Sequence, residues 1–393
     1  MKTDPEIYLG IDNCFASKRW TKPMDWMNVI KNLGLVYVEA SADTECDPLY
    51  MGPEYMHDWI DEVKRCSEKT GVVVKNLYSG HGTYATLGLS HNDERVRRRF
   101  LDEWMKVQAY TANELGAGLG FYAHAFDDTV LQSADKYKTK LDELYDTFAE
   151  LAKYAAEIGM QYIGVEQMYS PHQPPWTVVG AITLIKEIYA RANAPFYITI
   201  DLGHINGQQY FQKPTEKYIT ECLEKRRKGN PCKRTWLGSE KAMNIYYAAI
   251  RSEISVEKAV SQILKDAAQN PHLFASPEDG SIYNWVEKLA CYSPIMHLQQ
   301  NDGKSSPHWP FSPEYNAKGV IVPEKILKSI AASYEQDTES GMPEKCKEIV
   351  LTLEPFISSD GNNYDALEEL KQSVAYWRQY IPRDGMRLSE IVK

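Results

Sequence analysis

The chain has 393 residues, room for two or three ordinary domains or for one α/β barrel carrying insertions. Hydrophobic residues make up 43% and charged residues 25%, both near the globular average, which excludes disordered, collagen-like and coiled-coil chains. The net charge of −10 is spread along the chain and disfavours nucleic acid as a partner, and no window approaches the ~18 apolar residues of a membrane span.

In chain order, eight short apolar runs read as strands: YLGI from Tyr8, LVYV from Leu35, VVVKNL from Val72, GLGFYAHAF from Gly118, YIGVE from Tyr162, FYITID from Phe196, PIMHL from Pro294 and IVLTLE from Ile349. Most are nearly continuous apolar stretches, the pattern of parallel strands buried on both faces. Helical stripes lie between them. Trp26, Val29, Ile30 and Leu33 form one, Met56, Trp59, Ile60 and Val63 another, Val96 to Leu115 a third, Leu141 to Ile158 a fourth, and Leu367 to Trp377 the last. Strand-plus-helix units repeated eight times predict a closed (β/α)8 TIM barrel, one domain over residues 1–393.

One interval breaks the rhythm: the sixth and seventh strands are far apart, which predicts a helical insertion over residues 205–290, with a basic stretch EKRRKGNPCKR near its start. Loops after barrel strands open onto the catalytic face, so the insertion is expected to form a lid or a subunit contact there. The seven cysteines (Cys14, Cys46, Cys66, Cys222, Cys232, Cys291, Cys346) are odd in number, scattered and without a C-x-x-C pair. They are expected to be reduced thiols filling apolar sites, in a cytoplasmic protein.

An ionisable side chain at the carboxyl end of an apolar strand is costly unless paired or bound to metal. Four successive strands carry one: Glu166 closes the fifth, Asp201 the sixth, His297 lies in the seventh, and Glu354 closes the eighth. On a closed barrel these ends converge on one mouth. Carboxylate and imidazole without cysteine suit a divalent cation, manganese or magnesium first, with cobalt or zinc also compatible. Further histidines fall on the same rim: His204 after Asp201, His81 after the third strand and His124 at the end of the fourth. Lys304, His308 and His172 lie on loops where substrate hydroxyls or phosphate can be read.

The order V-E on strand five, D-x-x-H on strand six, H-L-Q on strand seven and L-E-P on strand eight, with LGLSHNDERVR after strand three, resembles the xylose isomerase-like barrel superfamily. That superfamily holds ketose 3-epimerases, hydroxypyruvate isomerase, inosose dehydratase and endonuclease IV. Resemblance to the epimerase branch implies that Glu166, Asp201, His297 and Glu354 hold one metal, that Glu166 and Glu354 also move protons, and that His204 helps hold the substrate carbonyl. Where epimerases often carry an arginine six residues after the strand-seven histidine, this chain has Gly303 followed by Lys304. The nuclease branch needs a D-x-H pair after strand seven, which is absent here.

The expected activity is therefore a metal-dependent sugar isomerase or epimerase acting on a ketose or ketose phosphate through a metal-stabilised enediolate. The alternative is a lyase on a keto-sugar, either inosose dehydratase-like or the barrel subunit of a 3-oxo-sugar C-glycoside deglycosidase, since the same enediolate can expel a β substituent. Endonuclease-like phosphodiester cleavage and a non-catalytic sugar-binding barrel rank below these. The expected partner is a small sugar, with no nucleic acid and no membrane, in a chain that can pair as a homo-oligomer.

Overall fold

The structure, a computed structural model, describes residues 3–392 except 81, 83, 233, 234 and 359. Strands β1 (Glu6–Asp12), β2 (Tyr37–Ser41), β3 (Val73–Ser79), β4 (Gly118–Phe121), β5 (Ile163–Glu166), β6 (Tyr197–Asp201), β7 (Ile295–Leu298) and β8 (Glu348–Leu353) pair in parallel order, and β1 pairs with both β8 and β2 to close the barrel. Every predicted run holds a strand. The fourth is shorter than expected and ends at Phe121, so Tyr122 to Phe126 are loop. A two-residue strand β9 (Met386–Arg387) lies antiparallel against Glu6 and Ile7.

Helices wrap the barrel where the apolar stripes place them. Pro23–Asn32 and Pro53–Thr70 each begin with proline in the first turn, where no amide hydrogen is needed. The stripe from Val96 is not one regular helix: a π-helical turn, Leu101–Met105, separates Glu94–Phe100 from Lys106–Glu114 and turns Leu101, Trp104 and Met105 all inward. The long helix Ala134–Glu157 starts on a Ser133 cap and buries Leu144, Phe148, Leu151 and Ala155. Among the described residues, no helix is long and apolar enough to cross a membrane.

The stretch between β6 and β7 has two parts. Helices Glu216–Arg227, Glu240–Ile250 and Val256–Gln269 share a small core of their own, built on Ile219, Leu223, Tyr246, Val260 and Ile263. The helix Ile282–Leu289 instead joins the main core through Trp285, Val286 and Leu289 and takes the ordinary outer-ring place. Cys222 and Cys232 are joined as a disulfide inside the outgrowth, which corrects the expectation of reduced thiols for that pair. Cys46, Cys66, Cys291 and Cys346 are free and buried, and Cys14 is free and partly buried.

Strand register sets the height of every inward side chain. Asp201 pairs with His297, Leu298 with Leu353, Asp12 with Glu39 and Glu39 with Asn76, so the polar residues of several strands occupy one level at the carboxyl end. The amino end is filled differently, by Tyr8, Tyr37, Tyr162 and Tyr197 around Ile295 and Val350.

Candidate active site

Glu166, Asp201, His297 and Glu354 are all brought to the carboxyl mouth, each less than a tenth exposed. Glu166 and Asp201 are the last residues of β5 and β6, His297 is the third of β7, and Glu354 follows β8 with its amide donating to Leu298 O at 2.9 Å. His297 Nδ1 stands 3.6 Å from Glu166 Oε2, 3.9 Å from Asp201 Oδ2 and 3.6 Å from Glu354 Oε2. Donor atoms of Glu166, Asp201 and His204 lie within 4.8 Å of one another, as do those of Asp201, His297 and Glu354, so Asp201 is common to both sets.

Several of these atoms are left over by the protein itself. His297 Nδ1 is buried and makes no hydrogen bond among the described residues, while the buried Glu166 Oε1 and Glu354 Oε2 meet only imidazole nitrogens, His204 Nδ1 at 2.9 Å and His308 Nδ1 at 3.3 Å. Buried polar atoms without partners are uncommon, and each calls for an explanation such as an ion. The opposite ring nitrogen, His297 Nε2, is fixed 2.6 Å from Glu39 Oε1, while Glu39 Oε2 accepts from Asn76 Nδ2 at 2.5 Å. A carboxylate holding one imidazole nitrogen and turning the other toward a site is the usual support of a metal-ligating histidine.

The remaining partners orient the carboxylates. Asp201 Oδ1 accepts from the amides of Gly203 at 2.7 Å and His204 at 2.5 Å, and Gln299 Nε2 donates to its Oδ2 at 3.0 Å. Gly203 has to be glycine, because a Cβ there would fall 2.3 Å from the Gln299 amide carbon. Glu166 accepts from the Tyr78 hydroxyl and faces His204 Nδ1 at 2.9 Å, and Glu354 Oε2 faces His308 Nδ1 at 3.3 Å. Each glutamate thus has its own histidine.

Charge balance follows from this crowding. Burial alone would raise Asp201, yet His204, His308 and His297 hold it below the usual carboxylate range. Burial opposes charge on His297, but Glu39, Glu354 and Glu166 carry its pKa well above the ordinary imidazole value. Burial raises Glu354, against the opposing pull of His308 and His297. The surroundings of the imidazoles favour positive charge at this point.

Among the other expected residues, His204, Lys304 and His308 line a pocket of about 330 Å³ that opens from the cluster, together with Tyr84, Tyr169 and Tyr210. His308 is stacked on Phe356 with ring centroids 3.8 Å apart. His124 is not brought to the cluster: β4 stops three residues short of it, and its ring stands edge-on to Phe100 at 4.9 Å and against Gly88. His172 pins a loop through Phe126 O at 2.8 Å and is likewise apart. His81 lies outside the described residues. Unforeseen members of the site are Glu39, Asn76, Tyr78 and Gln299, with Asp12 at the end of β1 raised well above the carboxylate range by burial and then by Glu354.

A closed parallel barrel with acids and histidines converging at its carboxyl mouth defines the class, and the comparisons agree. The chain belongs to the xylose isomerase-like TIM barrel family, whose model matches residues 27–230. It is 23% identical over 325 residues to D-erythrulose 1-phosphate 3-epimerase of Brucella abortus (strain 2308), covering 81% of this chain and 79% of that one. Among solved structures, a putative xylose isomerase from Rhodospirillum rubrum superposes with a TM-score of 0.66 at 16% identity, over 95% of this chain and 99% of the other. D-allulose 3-epimerase from Methylomonas sp., solved with D-allulose, gives 0.53 at 12% identity over 96% and 97%. These structural likenesses establish the shared fold.

Proposed function

We propose that this protein is a divalent-metal-dependent isomerase or epimerase acting on a ketose or ketose phosphate. The observation that carries the reading is the unpartnered His297 Nδ1 facing three carboxylates, with its other nitrogen locked to Glu39. The relationship to an erythrulose phosphate epimerase supports it.

The donor set fits a hard or borderline divalent ion: three carboxylates and one imidazole, with manganese favoured and magnesium, cobalt or zinc compatible. Glu166, Asp201, His297 and Glu354 would hold it, and His204, within 4.8 Å of Glu166 and Asp201, is a further donor. Bound there, the ion supplies the positive charge that polarises the substrate carbonyl and stabilises the enediolate.

The chain's own residues do the rest. His204 and His308 contact Glu166 and Glu354 and line the pocket, so they orient both the carboxylates and the sugar oxygens. The three-helix outgrowth braces the pocket wall, with Trp236 set against Phe211 at 5.0 Å between centroids, consistent with a cover over the mouth.

Purified protein is expected to hold about one divalent ion per chain, and Glu166→Gln and Glu354→Gln each to lower turnover by about 10³-fold with the thermal transition retained. Incubation with ketoses in deuterated water should place deuterium on the carbon beside the carbonyl. Metal-free protein together with undiminished activity in both variants overturns the reading, and an unsaturated product in that incubation replaces it with the lyase.

A further inference from the structure

The pocket beside the cluster is electrically two-ended. Its inner wall carries His204 and His308, while its outer wall carries Lys304, Ser305 and Ser306 from the loop after β7, and no aspartate or glutamate is among the described residues lining it. The Lys304 ammonium and the Ser305 hydroxyl have no partner among the described residues. In a chain of net charge −10, an unpaired cation beside a carboxylate-rich centre is available to a ligand.

The loop is held in place by its carbonyls, which leaves Lys304 Nζ and the Ser305 hydroxyl unspent. Gly303 O accepts from Gln209 Nε2 at 3.0 Å, Lys304 O from Tyr210 Oη at 2.7 Å and Ser305 O from Asn206 Nδ2 at 2.9 Å. The Ser306 hydroxyl donates to Gln299 Oε1 at 3.1 Å, and the same Gln299 clamps Asp201 through Nε2 at 3.0 Å. The cationic loop and the carboxylate centre therefore share one polar frame, so their separation is fixed before a ligand arrives. A lone cation with adjacent hydroxyls, set a pocket's length from the reacting centre, suits an anionic group able to take several charge-assisted hydrogen bonds.

We infer that Lys304 and Ser305 bind the phosphate of the substrate, and that the enzyme acts on ketose monophosphates in preference to free ketoses. This rests on the isomerase or epimerase reading and names its substrate class.

The test uses the full chain loaded with manganese, measuring solvent-deuterium exchange into tetrulose, pentulose and hexulose monophosphates and into the same ketoses without phosphate. At least one monophosphate is expected to exchange with a kcat/KM about 10²-fold above its free sugar. Lys304→Met should raise KM for that phosphate about 30-fold and lower the phosphate-to-free ratio by the same factor, while Lys304→Arg restores most of it. Inorganic phosphate should compete with wild type and much less with Lys304→Met. Equal turnover of free and phosphorylated sugars, or a ratio unmoved in Lys304→Met, overturns this inference and leaves the isomerase or epimerase intact. Absence of exchange into every ketose overturns both.

Discussion

The two ends of the barrel interior are built by the same strands and solve opposite problems. At the amino end Tyr8, Tyr37, Tyr162 and Tyr197 fill the cylinder, and hydroxyls reach acceptors at the rim: Glu6 Oε2 for Tyr8 at 2.6 Å, Lys75 O for Tyr162 at 2.8 Å, Glu344 O for Tyr197 at 3.2 Å. At the carboxyl end Glu166, His297 and Glu354 are more deeply buried, yet His297 Nδ1 makes no hydrogen bond and Glu166 Oε1 and Glu354 Oε2 have only imidazole nitrogens opposite them. A satisfied end contributes stability, and an unsatisfied one withholds it until something binds. The difference separates the part of the barrel that holds the fold from the part proposed to do the chemistry.

Glu39→Gln is the sharpest way to break that comparison. The substitution keeps the shape of the side chain but removes the charge that fixes His297 Nε2 at 2.6 Å, so the affinity for a divalent ion should fall up to about 10²-fold, about 2.7 kcal/mol. Metal-free stability should fall by less, because a buried pair loses one partner while Glu166 and Glu354 still face His297. Titration with manganese followed by calorimetry, beside urea melts of the stripped protein, checks both. Equal loss of metal-free stability and metal affinity would mean that Glu39 is ordinary core.

Much of this was readable from the chain, and the omissions have physical causes. Parallel strands covered on both faces are continuous apolar runs, so all eight were found, and the residues closing the last four pointed to Glu166, Asp201, His297 and Glu354. The same signal stands in the first two strands, where Asp12 and Glu39 directly follow the apolar runs YLGI and LVYV. Asn76 and Tyr78 were hidden for another reason: neither is an ionic residue in an apolar strand, and only the register that sets Asn76 beside Glu39 shows its use. His124 misled because the apolar composition of β4 runs on past Phe121, where the ladder of hydrogen bonds has already ended. The Cys222–Cys232 link has no spacing signature, since the two cysteines stand 10 positions apart across helix and loop.

The amino end offers the converse experiment. A Cβ on Gly118 would fall 2.1 Å from the Tyr162 ring, so Gly118→Ala overpacks the tyrosine layer and should destabilise the chain by about 2 kcal/mol. Manganese affinity should be unaffected. Adding Tyr162→Leu to Gly118→Ala is expected to recover part of the loss, because the clash disappears with the ring. A shared effect on metal binding would show that the two ends are mechanically coupled, against the separation drawn above.

The smallest effect tests whether charge matters in the barrel only where it is buried. On the outer face, Arg98 and then Lys106 hold the half-exposed Glu150 down at about 2, with ion pairs of 2.5 Å and 2.7 Å. A carboxylate whose folded pKa is depressed stabilises the fold fully above its unfolded value of about 4.3, and that contribution is lost as pH falls through the folded value. Acid melts of wild type and Glu150→Gln should therefore differ near neutrality and converge toward pH 2. Solvent screening at this exposed cluster limits the difference to about 0.5 kcal/mol, and added salt should shrink it further. A gap that persisted in strong salt would place this outer network on the same footing as the buried one.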